Sequence, residues 1–312
     1  MPPLHPELSR ARFLPTPPVR RGTAGLLRWL TSKMRPGPAP EDMRVEHRTV
    51  PGPEGAPPVE VWIHRPKAVE GTAPALLWMH GGGHVMGHPA QDERGNIAFA
   101  RDLGITVVAV RYRLAPRHPA PAGLEDAYAA LNWIVDNAAD LDVDPGRIAI
   151  GGASAGAGLA AGLALMCRDR GGPAPAFQLL VYPMLDDRTA LRTDVDTSGM
   201  RLWSPASNRF AWGAYLGRPV GSEGISPYAA PARREDLTGL PPAWIGVGTN
   251  DLFHDEDVAY ARRLEEAGVP CALTIVPGAF HGFEVQFAGT EVVRAFRREQ
   301  TEALRAALFP ER

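Results

Sequence analysis

The 312-residue sequence is short of lysine, of cysteine and of long apolar runs. Lys33 and Lys67 are its two lysines, and its two cysteines, Cys167 and Cys271, are too few for the disulfide framework of a small secreted domain. No stretch reaches the roughly 18 apolar residues of a transmembrane helix. The first 21 residues are broken by prolines and lack the apolar run of a secretory signal. We therefore expect a cytoplasmic protein.

An excess of charge of one sign is also missing. Lysine and arginine number 33 against 35 acidic residues, for a net charge of -2. Such a balance creates no overall field, so we expect neither nucleic acid nor a membrane as a partner. With 45% apolar residues, the chain is long enough for one large core, or one core with a smaller lid. A small molecule is the expected ligand.

Short apolar runs alternate with helical patterns along most of the chain. Residues 45–50 and 59–64 alternate in the manner of half-buried antiparallel strands. Runs typical of strands buried on both faces follow at residues 75–79, 105–110, 147–151, 177–182, 243–247 and 272–276. Helical patterns lie at residues 124–137, 155–170, 255–267 and 290–308. The alternation predicts an α/β protein with a mostly parallel sheet between helices, whose reactive groups lie at the carboxyl ends of the strands.

A tight turn follows the strand predicted at residues 147–151. It reads Gly152-Ala153-Ser154-Ala155-Gly156 and leads into a helix. In a G-x-S-x-G elbow, small flanking residues allow the sharp turn that lifts the serine hydroxyl above the sheet. The five residues alone are a weak match in a chain rich in alanine and glycine, but the strand-turn-helix context strengthens it. Ser154 is the predicted nucleophile.

A glycine-rich loop, His80-Gly81-Gly82-Gly83, follows the strand predicted at residues 75–79. Glycines let backbone N–H groups approach a developing oxyanion closely, so Gly82 and Gly83 are predicted donors, together with Ala155 after the nucleophile. A rival interpretation starts from three histidines spaced four residues apart, which are His80, His84 and His88. That spacing suits a metal-binding helix face, but the glycines between them disfavour a helix.

Two later loops supply partners for the serine. The strand at 243–247 leads to Asp251, and the strand at 272–276 leads to His281. A serine hydroxyl needs a base, and the imidazole needs a carboxylate to fix its tautomer. The order Ser, Asp, His is that of α/β-hydrolases. Asp255 competes for the role of acid, and Asp257 less strongly, although Asp255 falls in the first turn of a predicted helix.

The sequence resembles the bacterial esterases of the hormone-sensitive-lipase-like family from about residue 45 to the C-terminus. Beyond the two glycine motifs, the shared segments include Tyr112-Arg113-Leu114-Ala115-Pro116, Tyr182-Pro183-Met184 and Gly278-Ala279-Phe280-His281-Gly282-Phe283. The resemblance implies an α/β-hydrolase fold and a serine carboxylesterase without metal or cofactor. It implies the triad Ser154, Asp251 and His281 and the oxyanion hole Gly82, Gly83 and Ala155. Family members often pair through the last strand and helix, so a homodimer is expected by analogy.

The sequence departs from the family pattern at three places. Ala153 replaces the usual Asp or Thr before the nucleophile, which removes a polar side chain from the elbow. Leu252 replaces the proline that commonly follows the acid. His84 stands where the family often has an aromatic residue after the glycines, so the shape and polarity of the acyl pocket differ there.

Residues 1–45 precede the strand-helix alternation, and residues 187–225 interrupt it. The resemblance implies that these two segments form a helical cap over a catalytic domain of residues 46–186 and 226–312. The second segment contains several aromatic residues, and its apolar character favours esters with short to medium acyl chains. The predicted contacts of the substrate are His84, Leu202, Trp203 and Phe210.

Two other functions remain open. The segment Gly156-Ala157-Gly158-Leu159-Ala160-Ala161 resembles a dinucleotide fingerprint, with Asp186 as a ribose ligand, but its glycines begin too far into the helix and the other motifs would be left unexplained. A non-hydrolytic relative of the same fold, such as a receptor or dehydratase, is the second. The intact Ser154 and His281 argue against it.

Overall fold

In the computed structural model, which describes residues 3–310, strands and helices alternate along the chain as predicted. The strands are β1 (Met43–Val50), β2 (Val59–Pro66), β3 (Ala73–Met79), β4 (Thr106–Arg111), β5 (Val143–Ala153), β6 (Phe177–Val181), β7 (Ala243–Gly248) and β8 (Cys271–Val276). The helices are α1 (Arg21–Ser32), α2 (Glu93–Leu103), α3 (Ala122–Asp136), α4 (Ala155–Arg170), α5 (Pro205–Leu216), α6 (His254–Glu266), α7 (Phe283–Gln286) and α8 (Glu291–Leu308). The predicted α/β class is confirmed.

The strands form one sheet in the order β1-β2-β4-β3-β5-β6-β7-β8. Strand β2 pairs antiparallel with β1 and with β4, whereas the pairs from β4 to β8 are parallel. The parallel strands therefore have their carboxyl ends at one edge of the sheet. This edge carries the loops that follow β3, β5, β7 and β8.

Burial of β2 differs from the prediction. The alternation in residues 59–64 indicated a half-buried strand, but most of β2 is buried. Val61 and Ile63 pack into the core on one face of the sheet, and Trp62 packs into the core on the other. Helices α2 and α3 both contact β2, so neither face is left to solvent.

Strand β8 also differs from the prediction, in the opposite direction. Its apolar run indicated burial on both faces, yet only Val276 is buried and Ile275 is exposed. The strand lies at the edge of the sheet and pairs only with β7 among the described strands. Cys271 at its start is partly buried, whereas Cys167 in α4 is buried, and both are free thiols.

The two segments predicted to form a cap contact each other. The backbone N–H of Val19 donates to Oγ of Ser207 over 2.9 Å, and Nε of Arg201 donates to the carbonyl of Ala11 over 2.9 Å. Helix α5 belongs to the second segment and α1 to the first. Among residues 3–310, no helix combines the length and the apolar character needed to cross a bilayer.

Candidate active site

Ser154 occupies a strained turn between β5 and α4. Its φ of 57° and ψ of -120° lie in a region that residues with a side chain seldom adopt. Its N–H donates to Val181 over 2.9 Å, and its carbonyl accepts from Gly158 and Met184. A Cβ placed on Gly156 would lie 2.0 Å from the carbonyl oxygen of Met79. A glycine is therefore required at position 156, because helix α4 packs directly on the end of strand β3.

Replacing Gly156 with alanine should destabilise the fold strongly. The new methyl group would overlap backbone atoms that no side-chain rotation can move, so we expect a loss of about 3 kcal/mol or more in the free energy of unfolding. Gly213 in α5 is the matched control, because a Cβ there meets no atom within 4 Å. Gly213→Ala should stabilise by up to about 1 kcal/mol. Urea unfolding measures both; equal effects would contradict the packing argument.

The side chains of Ser154, His281 and Asp251 form one hydrogen-bonded chain. Nε2 of His281 lies 2.9 Å from Oγ of Ser154, and Nδ1 lies 2.8 Å from Oδ2 of Asp251. The other carboxylate oxygen of Asp251 accepts the N–H of Phe253 over 3.0 Å. All three residues are less than a tenth exposed. With Asp251 ionised, the proton of the ring lies on Nδ1 and Nε2 is free to accept the serine proton.

The competing acids lie elsewhere. Asp255 is exposed in the first turn of α6 and pairs with Arg192 over 2.6 Å and with His254. Asp257 is buried, and neither of its carboxylate oxygens has a hydrogen-bond donor in the part of the chain that the structure describes. Burial raises the pKa of Asp257 well above its usual range. Neither carboxylate is a hydrogen-bond partner of His281.

Three backbone N–H groups near the serine are unoccupied donors. Those of Gly82, Gly83 and Ala155 have no hydrogen-bond acceptor within residues 3–310. Gly82 and Gly83 have φ values of 124° and 60°, which suit glycine. Ala155 begins α4, so its N–H belongs to the first turn that a helix leaves unpaired. Such groups can stabilise an oxyanion without reorganisation.

The predicted contacts of the substrate lie at different distances from this centre. A Cβ on Gly83 would lie 2.4 Å from the ring of Trp203, which is buried, and the ring centroid of Trp203 is 6.2 Å from that of His281. Leu202 lies beside Gly282, the residue after the histidine. Phe210 is partly buried and packs against the core, and its contact with a substrate stays a prediction.

His84 is buried and packs against helix α5. Its ring stacks on Tyr215 with a centroid distance of 3.7 Å and lies 6.1 Å from Trp212. Neither ring nitrogen has a hydrogen-bond partner among the described residues. Residues 80–88 form turns rather than a helix, so the helix face that the rival metal-binding interpretation needs does not form. The imidazole of His84 therefore packs on Tyr215 as the aromatic residue expected at this position would.

Three buried histidines should each reduce the stability of the protein in mild acid. Buried carboxyls whose pKa is raised by burial act in the opposite direction over the same range, and these are Asp92, Glu256 and Asp257. Burial lowers the pKa of His64 and His80 from 6.5 to about 4, and that of His84 to about 3. At these three sites the unfolded chain binds protons that the folded chain does not bind, so the stability that each site contributes is present above about pH 6.5 and is lost as the pH falls toward 4. Between pH 7 and pH 5, each histidine should lower the free energy of unfolding by about 1 to 2 kcal/mol.

The variant His84→Phe isolates one of these contributions. Phenylalanine keeps the stack on Tyr215 and cannot bind a proton. From pH 7 to pH 5, the free energy of unfolding of the variant should therefore rise by about 1 to 2 kcal/mol relative to that of the parent. Urea midpoints at the two pH values give the comparison. Parallel pH dependence of the two proteins would show that His84 does not resist protonation.

Sequence reasoning missed the residues that surround the imidazole. Phe253 and Tyr182 contact the ring of His281 edge-on, at centroid distances of 5.1 and 4.7 Å. The hydroxyl of Tyr182 donates to the carboxylate of Glu284. Tyr182 is the first residue of the segment Tyr182-Pro183-Met184, and Glu284 directly follows the segment that ends at Phe283. Both segments are shared with the family that the sequence resembles. Nothing in the local sequence indicated that they meet.

The dinucleotide interpretation fails on the position of its glycines. Gly156 and Gly158 lie inside α4, and each packs against backbone, at Met79 and Met184 respectively. They leave no open loop to receive a pyrophosphate. Asp186, the predicted ribose ligand, instead accepts from Arg188 and caps a short 3-10 helix.

Comparisons with known proteins identify the family and the fold of the chain. The model of a family described as alpha/beta hydrolase fold matches residues 76–285. The carboxylesterase NlhH of Mycobacterium tuberculosis is 37% identical over 254 residues, which are 79% of this chain and 77% of that protein. An ethyl acetate hydrolase of Pseudomonas putida is 35% identical over 210 residues, 67% of this chain and 65% of that one. The solved structure of a bacterial heroin esterase superposes with a TM-score of 0.87 at 36% identity and covers 98% of both chains.

Proposed function

Because the chain belongs to the hormone-sensitive-lipase-like family of α/β-hydrolase fold carboxylesterases, we propose that it hydrolyses short- to medium-chain acyl esters through a covalent intermediate on Ser154. The observation that carries the proposal is the position of His281. Its two ring nitrogens are hydrogen-bonded to Ser154 on one side and Asp251 on the other. This arrangement is the one that acyl transfer through a serine needs.

In the first half of the reaction, Oγ of Ser154 attacks the carbonyl carbon of the ester while Nε2 of His281 takes its proton. The carbonyl oxygen becomes an oxyanion, which the N–H groups of Gly82, Gly83 and Ala155 stabilise. The tetrahedral intermediate collapses as the bond to the alcohol oxygen breaks. His281 returns its proton to that oxygen, and the alcohol leaves.

In the second half, water attacks the acyl carbon and gives a proton to Nε2 of His281. The bond between the acyl carbon and Oγ of Ser154 then breaks, and His281 protonates the serine. Asp251 stays ionised and stabilises the imidazolium in both halves. The acid leaves, and no metal or cofactor takes part in these steps.

The walls of the site support a limit on acyl length. Trp203 packs against Gly83, and Leu202 packs beside Gly282, so bulky side chains stand next to both the proposed oxyanion donors and the histidine. The relative named ethyl acetate hydrolase acts, by its name, on an ester with a two-carbon acyl group. We propose that the acyl chain extends only a short way past Trp203.

A series of p-nitrophenyl esters from acetate to palmitate tests the acyl limit. We expect kcat/KM to be highest for short and medium chains and at least about tenfold lower for palmitate, equivalent to about 1.4 kcal/mol. Trp203→Phe should move the optimum toward longer chains. Trp133→Phe, in α3, is the matched control and should not. Highest kcat/KM on palmitate would contradict the proposed acyl range.

A further inference from the structure

Helix α1 presents an apolar face to solvent. Leu26, Trp29 and Leu30 are 58%, 57% and 49% exposed. They stand at positions i, i+3 and i+4, so they share one side of the helix. We call these three residues the α1 apolar face. Large apolar side chains grouped in this way on a surface indicate an interaction site more often than single ones do.

The opposite side of α1 is fixed to the body of the protein. Ala24 is buried and Leu27 packs against the core. Nη1 of Arg28 donates to the carbonyl of Ala115 over 3.2 Å, and the N–H of Gly87 donates to Oγ1 of Thr31 over 3.3 Å. The helix therefore has one anchored side, and its outward apolar face is a consequence of how it docks.

The chain segment that contains α1 carries charged residues of one sign only. Residues 8–40 contain seven arginines and lysines and no acidic residue. Six of the seven are exposed, and none makes an ion pair within residues 3–310. This segment carries +7 in a chain whose total is -2, so the remainder carries -9. The balanced total that predicted no membrane contact conceals this separation.

We propose that the α1 apolar face binds an anionic lipid surface. A helix that exposes tryptophan and leucine on one side and is flanked by arginine and lysine lies stably at a lipid-water interface, with its apolar side chains among the acyl chains and its cations at the headgroups. A second copy of the chain is a poorer occupant of this face, because a symmetric contact would bring two segments of charge +7 together. The -9 carried by the remainder favours an orientation with α1 toward the lipid.

Co-sedimentation with lipid vesicles tests the proposal without any measurement of ester turnover. At low salt, the partition coefficient should be at least about tenfold higher for phosphatidylglycerol-containing vesicles than for phosphatidylcholine alone, and added salt should reduce the difference. The variant L26S/W29S/L30S should lower binding about tenfold or more. Val285→Ser is the matched control, because Val285 is 66% exposed in α7, and its binding should equal that of the parent.

A second pair of variants separates charge from apolar contact. Arg20→Gln combined with Arg21→Gln should weaken binding to the anionic vesicles several-fold, whereas Arg262→Gln on α6 should not. Equal binding to both vesicle types, or full binding by the triple serine variant, would overturn the proposal. So would a concentration-dependent dimer in sedimentation velocity that the triple variant abolishes while vesicles bind nothing, since the face would then belong to a second copy.

Discussion

Replacing Ser154 with alanine lowers kcat/KM for p-nitrophenyl acetate by about 10⁴- to 10⁶-fold, the range found when the nucleophile of a serine hydrolase is removed. The variant keeps the buried imidazole and the unpaired N–H groups but has no oxygen to form the acyl bond. Residual turnover then comes from direct attack of water on an ester whose carbonyl oxygen is bound in the proposed oxyanion hole. The melting temperature should change little, because alanine can occupy the same turn.

A covalent label separates loss of the nucleophile from loss of the fold. A phosphonate ester should add to the parent at the peptide containing Ser154, as read by mass spectrometry, and should not add to Ser154→Ala. Ser226→Ala, an exposed serine in a turn, is the control and should keep both the label and the activity. Near-parental turnover by Ser154→Ala would end the serine mechanism. A parent that neither reacts with the label nor hydrolyses esters would instead support the non-hydrolytic alternative.

Asp251→Asn should reduce kcat by about 10⁴-fold, whereas Asp255→Asn should leave it within about twofold. Asparagine at 251 can donate to Nδ1 of His281, so it stabilises the tautomer whose Nε2 carries the proton and cannot accept another. Asp255 is exposed and pairs with Arg192 at the surface, where an ion pair contributes at most about 1 kcal/mol.

The two aspartates make a matched pair, because the same change of one atom is made four residues apart. Steady-state kinetics on a short-chain p-nitrophenyl ester gives kcat and KM for both variants. Thermal denaturation shows that the fold is retained. If Asp255→Asn were the impaired variant, the acid would have to be reassigned to Asp255, with a rearranged loop after β7.

Local sequence predicted much of the fold because the responsible forces are local. Helix α4 begins and ends at the predicted residues, since the elbow starts it and Gly171 in a left-handed conformation stops it. The other three helices read from the 3.6-residue pattern lie within two residues of their predicted ends. The predictions that β2 is half-buried and that β8 is buried on both faces were wrong. The neighbours of a strand depend on its place in the sheet, and residues far away in the chain set that place.

The sequence by itself determined which motifs and reactive side chains the protein carries. They are a small-residue elbow, a glycine loop, and one acid and one base after later strands, in the order of an α/β-hydrolase. These motifs are short and their spacing along the chain is decisive. Only the tertiary structure showed that Asp251, and not Asp255, is hydrogen-bonded to His281, because hydrogen-bond distance and burial are properties of packed loops. Packing likewise decided that His84 stacks neutral on Tyr215 and that Leu26, Trp29 and Leu30 face solvent, since both depend on which surfaces of distant segments meet.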